Sequence, residues 1–133
     1  MTKILLDACS LLSFLLDEKE ASEIEIWFKK ANQNQAKLYM SLINYGEVCI
    51  KIDQFFTEEK ASEIKDLIKN NLSIQILNLD LKIIEQSASI KAKGGLAFPD
   101  AIALVTAKLN DLTLLTKDKE FEKFSKEYSI LFL

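Results

Sequence analysis

Ile4-Leu5-Leu6-Asp7-Ala8-Cys9-Ser10-Leu11-Leu12 opens the chain and decides how the rest is read. Ile4 to Leu6 reads as a short buried strand that Asp7 closes. From Ala8 to Leu16 the chain is apolar almost all round, which marks the start of a buried helix. The same alternation then recurs. Ile24, Trp27, Phe28 and Ala31 fall at i, i+3, i+4 and i+7, so helical periodicity continues through Glu20 to Ala31. Asn32-Gln33-Asn34-Gln35 breaks it, Lys37 to Ser41 is a second strand, and Ile43 to Ile52 a helix. Thr57 is an N-cap, followed by Glu58 and Glu59, for a helix running to about Asn70. Ser73 to Leu77 alternates as a strand does, and Asp80 caps a helix to about Lys93.

Gly94-Gly95 interrupts the chain. Pro99 then occupies the first helical position of a segment reaching about Asn110. Leu112 to Leu115 is a buried strand, Asp118 to Lys126 a short helix and Ser129 to Leu133 a last strand. Strands alternating with helices predict an α/β domain whose mostly parallel sheet is covered on both faces. The 133 residues make a single domain, 1–133. At this size roughly two-thirds of the unfolded chain's surface is buried, so no disulfide or structural metal is needed to fold.

Four carboxylates stand where the elements join: Asp7, Glu47, Asp100 and Asp118. Each lies in an otherwise apolar stretch. In open parallel sheets, sites form outside the carboxyl ends of the strands. Asp7 follows the first strand directly. Ser41, Asn44 and Glu47 follow the second, and Thr116 and Asp118 follow the strand at Leu112 to Leu115. Asp100 opens the helix that leads into that strand. A right-handed crossover returns this helix start to the same rim.

Each acid has an ordinary explanation. Asp7 and Asp118 fit as N-caps, Asp100 favours the positive end of a helix dipole, and Glu47 has Lys51 at i+4. As a set they ask for more. An unpaired charge within the apolar helix at Glu47 is costly, and converging carboxylates repel one another.

Composition narrows the chemistry. All 17 basic residues are lysine, and there is no histidine. That excludes a histidine base, nucleophile or zinc ligand, and leaves phosphate contacts to lysine and backbone N–H groups. Oxygen-only ligands favour the hard cations Mg²⁺ or Mn²⁺, which carry out phosphodiester hydrolysis without histidine. The net charge of −3 argues against bulk electrostatic binding of nucleic acid. Setting the four acids aside, however, leaves the remainder at +1. Cys9 and Cys49 form no CxxC pair and read as reduced, buried thiols of a cytoplasmic protein. Asp7 interrupts the first apolar run too early for a signal peptide, and no stretch is long enough to span a membrane.

At these residues the chain resembles the PIN domain ribonucleases, in particular the VapC-like toxins of toxin–antitoxin pairs. Ile4 to Leu12 resembles the family's strand–Asp–Ala/Thr–Ser/Asn start. Ser41-Leu42-Ile43-Asn44-Tyr45-Gly46-Glu47-Val48 resembles its Ser-x-x-Thr/Asn-x-x-Glu segment. Phe98-Pro99-Asp100-Ala101-Ile102-Ala103 and Leu114-Leu115-Thr116-Lys117-Asp118-Lys119-Glu120-Phe121 resemble its Asp-Ala-x-Ala and Leu-Thr-x-Asp-x-Asp-Phe segments.

The resemblance implies a three-layer α/β/α sandwich and a Mg²⁺-dependent endoribonuclease. Asp7, Glu47, Asp100 and Asp118 match the family's metal-binding and catalytic acids. Ser41, Asn44 and Thr116 stand behind them in supporting positions. It also implies a homodimer, an RNA substrate and an antitoxin whose tail blocks the acidic pocket. Two departures stand out: Cys9 where Ser or Asn is commoner, and Lys117 where Arg is frequent. Trp27 and Phe28 read as core, and Phe55-Phe56 as the more exposed aromatic pair.

Two other functions are compatible with the pattern. One is a weakly catalytic RNA- or protein-binding module on the same fold. The other is a phospho-accepting receiver domain, which needs an acidic pair before the first helix where Asp7 here stands alone.

Overall fold

The computed structural model describes residues 1–133. Five parallel strands form one sheet in the order β3-β2-β1-β4-β5. They are β1 (Thr2–Leu6), β2 (Ala36–Ser41), β3 (Ile74–Leu77), β4 (Thr113–Thr116) and β5 (Ile130–Phe132). The helices are α1 (Ala8–Leu15), α2 (Ala21–Asn32), α3 (Leu42–Phe55), α4 (Glu58–Asn70), α5 (Leu81–Ala92) and α6 (Phe98–Leu109), and a 3₁₀ helix spans Lys119–Phe124.

Period-two alternation in the central strand divides the core. Ile4 and Leu6 join Leu38, Met40 and Leu115 in a cluster closed by residues of α1 to α4, including Leu11, Phe28, Val48 and Ile68. Leu5, between them in sequence, faces the other way and packs with Leu114, Phe121 and α6 residues Ala101 and Leu104. Helices α5 and α6 meet each other through Ile83, Ile102 and Val105. The result is the three-layer sandwich. Right-handed crossovers explain the segregation. The chain moves from β1 to β2 to β3 over one face. It then crosses back past β1 over the other to place β4 and β5.

The expected caps form. Thr57 Oγ1 accepts the Lys60 N–H at 3.2 Å, and Asp80 Oδ1 accepts the Ile83 N–H at 2.9 Å. Three local expectations need correction. The periodicity from Ala8 to Ala31 is not one run: the chain turns at Asp17, whose φ is +53°, and this lets Phe14 of α1 pack edge-on against Phe28 of α2 at 4.8 Å. Helix α6 begins at Phe98, one residue before Pro99, with Ala97 as a cap lacking a side-chain acceptor. The segment after Asp118 winds as a 3₁₀ helix and stops at Phe124. Phe121, fully buried in the core, fixes its pitch.

The cysteines also differ from expectation. Both are unpaired, but Cys9 is exposed and Cys49 half-buried, because each sits on the outward side of its helix start or middle. Phe28 is buried, Trp27 is half-buried under Lys30, whose Nζ lies 4.5 Å from the ring centre, and Phe55 is 63% exposed. No helix is long and apolar enough to cross a membrane.

Three helix-to-strand returns pass through a left-handed residue that is not glycine: Asn34 before β2, Ser73 before β3 and Asp111 before β4, with φ of +59°, +56° and +54°. Asn and Asp tolerate this region better than Ser does. Ser73→Gly is therefore expected to raise stability by about 0.5–1 kcal/mol, read as a higher midpoint in urea unfolding at unchanged slope.

Candidate metal centre

The reversal of strand order lies between β1 and β4, since β2 and β3 extend one way from β1 and β4 and β5 the other. Two neighbouring parallel strands whose connections leave in opposite directions open a crevice at their carboxyl ends. Asp7 follows β1 there and Thr116 ends β4.

Asp7 is 2% exposed. Its Oδ1 accepts the Ser10 N–H at 2.9 Å, which caps α1, and its Oδ2 accepts the Thr116 hydroxyl at 2.5 Å. Thr116 Oγ1 in turn accepts the Asp118 N–H at 3.0 Å. Ser10 Oγ donates to the Leu115 carbonyl at 2.8 Å, a second tie across the same two strands.

The β2–α3 junction is built the same way. Ser41 Oγ caps α3 by accepting the Asn44 N–H at 3.2 Å and donates to Asn44 Oδ1 at 3.2 Å. This fixes the Asn44 amide so that Nδ2 donates to Glu47 Oε1 at 2.7 Å. Asn44, and not Lys51, is thus the partner of Glu47. Asp100 sits in the first turn of α6, and Asp118 Oδ1 accepts the Glu120 N–H at 2.9 Å to cap the 3₁₀ helix.

Oxygen atoms of Asp100, Asp118 and Glu120 all lie within 4.8 Å of one another. Glu120 belongs to this cluster, although the sequence pattern alone did not single it out. The signal was present in the Asp118-x-Glu120 spacing, because one 3₁₀ turn brings both carboxylates to one side. Asp7 and Glu47 stand further back, outside that closest group, but their charges reach it. Burial raises the Asp100 carboxyl to about 7, with Asp7, Asp118, Glu47 and Glu120 adding repulsion. Burial also raises Asp7, against the lowering effect of the Thr116 and Ser10 hydrogen bonds. The exposed rim residue Cys9 is pushed up to about 11 by partial desolvation and by Asp7 and Asp100, so it remains a neutral thiol. Lys117 turns away from the acids toward Glu18 at 3.3 Å and Glu20 at 3.6 Å.

The donor set is all oxygen, with no histidine and no thiolate. The N-termini of α1, α3 and α6 offset part of the negative charge. A hard divalent cation fits this set, because it replaces mutual repulsion with coordination.

Fold and site together define a parallel α/β domain with a carboxylate cluster at its topological switch point. The PIN domain family profile matches residues 4–127, and the chain belongs to that family. Comparison with curated protein sequences gives no match. Among solved structures, the fold is similar to VapBC-1 from nontypeable Haemophilus influenzae, with a TM-score of 0.75, 16% identity and 98% of each chain covered. It is similar to a toxin–antitoxin complex from Klebsiella pneumoniae, with a TM-score of 0.73, 23% identity and coverage of 96% of this chain and 95% of that one. It is also similar to a sarcin–ricin loop cleaving toxin, VapC20 of Mycobacterium tuberculosis, with a TM-score of 0.72, 10% identity and coverage of 94% and 95%.

The raised Asp100 fixes a sign. Its folded pKa lies above the ordinary value of 3.8, so its stabilising effect is present below about pH 4 and is lost as pH rises through about 7. In metal-free protein at pH 8, Asp100→Asn is expected to be more stable than wild type by about 1–2 kcal/mol, allowing for the solvent at the open side of the site. The gap should close toward pH 4, as followed by thermal unfolding across that range.

Proposed function

We propose that this protein is a Mg²⁺- or Mn²⁺-dependent endoribonuclease, the toxin of a toxin–antitoxin pair, that hydrolyses RNA phosphodiester bonds with metal-activated water. The observation that carries this reading is the convergence of Asp100, Asp118 and Glu120 at the switch point, with Asp7 and Glu47 close enough to raise Asp100. Asp7, Glu47, Asp100 and Asp118 are the catalytic and metal-binding set, and Glu120 joins them. Asp100, Asp118 and Glu120, backed by Asp7 and Glu47, would hold such a cation, which would supply acidification of a water molecule and charge stabilisation on the leaving oxygen.

The chain's own contribution is positional. The Ser10 N–H and the Thr116 hydroxyl fix both oxygens of Asp7. The relay from Ser41 through Asn44 fixes one oxygen of Glu47. Orientation held in advance by hydrogen bonds spares the site that reorganisation during reaction. Asp100 carries a proton near neutral pH when repulsion is unrelieved, so ion binding releases it.

The PIN domain membership and the toxin–antitoxin complexes among the structural neighbours support an antitoxin partner, and a homodimer belongs to the same proposal. RNA as substrate is supported by the likeness in fold to the mycobacterial toxin that cleaves the sarcin–ricin loop, and by a chemistry that requires no histidine. A cytoplasmic location follows from the same reading.

The test is cleavage of a single-stranded or loop RNA with added Mg²⁺ or Mn²⁺. Wild type is expected to cleave it. Asp7→Asn and Asp100→Asn should each lose about a hundredfold or more in kcat/KM, which corresponds to about 2.7 kcal/mol or more. Calorimetry with the metal alone should show affinity rising from pH 6 to 8 with proton release in wild type, and no such release in Asp100→Asn. Equal cleavage by all three proteins would refute the reading.

A further inference from the structure

A shallow groove runs between α1 and α3 beside the acidic centre, which it meets at Cys9, a neighbour of Asp7 and Asp100. Its cavity is about 220 Å³, and Cys9, Leu12, Leu16, Lys51, Phe55 and Lys117 line it. Glu18 completes the lining. The volume is below the ~300–1,000 Å³ of pockets that enclose a whole small ligand. It suits one planar ring system.

Two helix faces make the groove, and both start at the metal centre. Asp7 caps α1, and Cys9, Leu12 and Leu16 follow from the rim outward along it. On α3, Glu47, Lys51 and Phe55 fall at i, i+4 and i+8, one stripe with steps of about 6 Å along the axis. The stripe therefore reads acid, cation, aromatic with increasing distance from the centre. Phe55 is 63% exposed, which costs an isolated aromatic its burial and leaves a free ring face. Lys117 is already held by Glu18 and Glu20, whereas Lys51 enters no ion pair. The groove thus offers one uncommitted cation between a metal-binding acid and a stacking platform.

We infer that this groove seats the nucleotide flanking the scissile phosphate of a single-stranded RNA, with its base on Phe55 and its phosphate at Lys51. The inference rests on the nuclease reading and names how that site would hold its substrate. Aromatic side chains interleaved with lysine are the usual means of binding unpaired strands without histidine or arginine, and stacking tolerates any base. The acids repel a phosphodiester, so a cation beside them supplies the anchoring that the loaded centre alone does not extend to the next phosphate.

The experiment measures steady-state cleavage of a short single-stranded RNA by the full chain with Mn²⁺. Phe55 and Lys51 are both exposed, so Phe55→Ala and Lys51→Gln are expected to fold as wild type does. Phe55→Ala should raise KM about tenfold or more with kcat nearly unchanged, and Phe55→Trp should restore it. Lys51→Gln should raise KM and flatten its salt dependence. An oligonucleotide abasic at the flanking position should lower kcat/KM for wild type to the level of Phe55→Ala, and should cause no further loss in that variant. If Phe55→Ala cleaves with unchanged KM, or its effect adds fully to that of the abasic site, the groove serves another occupant, such as an apolar peptide, and the inference falls while the nuclease reading stands. Wild type that cleaves no RNA with either metal overturns the parent reading, and this one with it.

Discussion

The hydrogen bond from the Thr116 hydroxyl to Asp7, 2.5 Å long and buried, joins the carboxyl ends of the two parallel strands between which the strand order reverses. A carboxylate this far from solvent is costly unless its oxygens are engaged. Here one oxygen caps α1 and the other holds β4 in register with β1. The rest of the acidic rim follows. Because Thr116 also accepts the Asp118 N–H, the position of Asp7 sets the path of the chain into the 3₁₀ helix and so the placement of Asp118 and Glu120.

Capping and clustering are usually alternative explanations for acids at element starts. In this fold they are the same arrangement. Helices α1, α3 and α6 all begin at one edge of a parallel sheet, so a residue that caps or opens a helix there is also directed at its neighbours across the crevice. Asp7 and Asp118 are both tied to a local backbone amide, and both still add to the repulsion that lifts Asp100. Local hydrogen bonds hold the acids in place, but they do not discharge them. The cost falls on Asp100, the acid in the first turn of α6 that no local cap engages, and its carboxyl is raised to about 7 by burial and by those neighbours.

The same edge also carries a contrast in exposure. Helices α1 to α4 bury an apolar core on one side of the sheet while α6 and the 3₁₀ helix close the other. The outward-facing residues of α1 and α3 are left to solvent, which is why Phe55 and Lys51 remain exposed beside a site otherwise set into the fold. Lys117, by contrast, is drawn back to Glu18 and Glu20 of the α1–α2 turn and locks that turn against the end of β4.

Much of this was legible in the chain. Apolar triplets such as Ile4-Leu5-Leu6 have one economical outcome in a domain of this length, a strand buried on both faces, and the helical stretches between them force parallel pairing. Thr57 and Asp80 announce their helices because a cap is decided within four residues. Ser41, Asn44 and Thr116 stood out because they follow strand ends and match the family segments, whereas the contact of Thr116 with Asp7 exists only in the fold. Sequence could not fix the break at Asp17, because the turn is held by Phe14 meeting Phe28 on the next helix. Nor could it select Glu120: its carboxylate reaches Asp100 only once β4 lies beside β1 and buried Phe121 sets the pitch of the turn. The sequence alone determined the elements, the oxygen-only chemistry and the acids at the junctions, since periodicity, caps and composition act over short range. Which carboxylates share a cation-sized space, which lysine stays uncommitted and which aromatic remains bare were settled by tertiary packing, because charge repulsion and solvent exposure depend on distances that exist only in the folded chain.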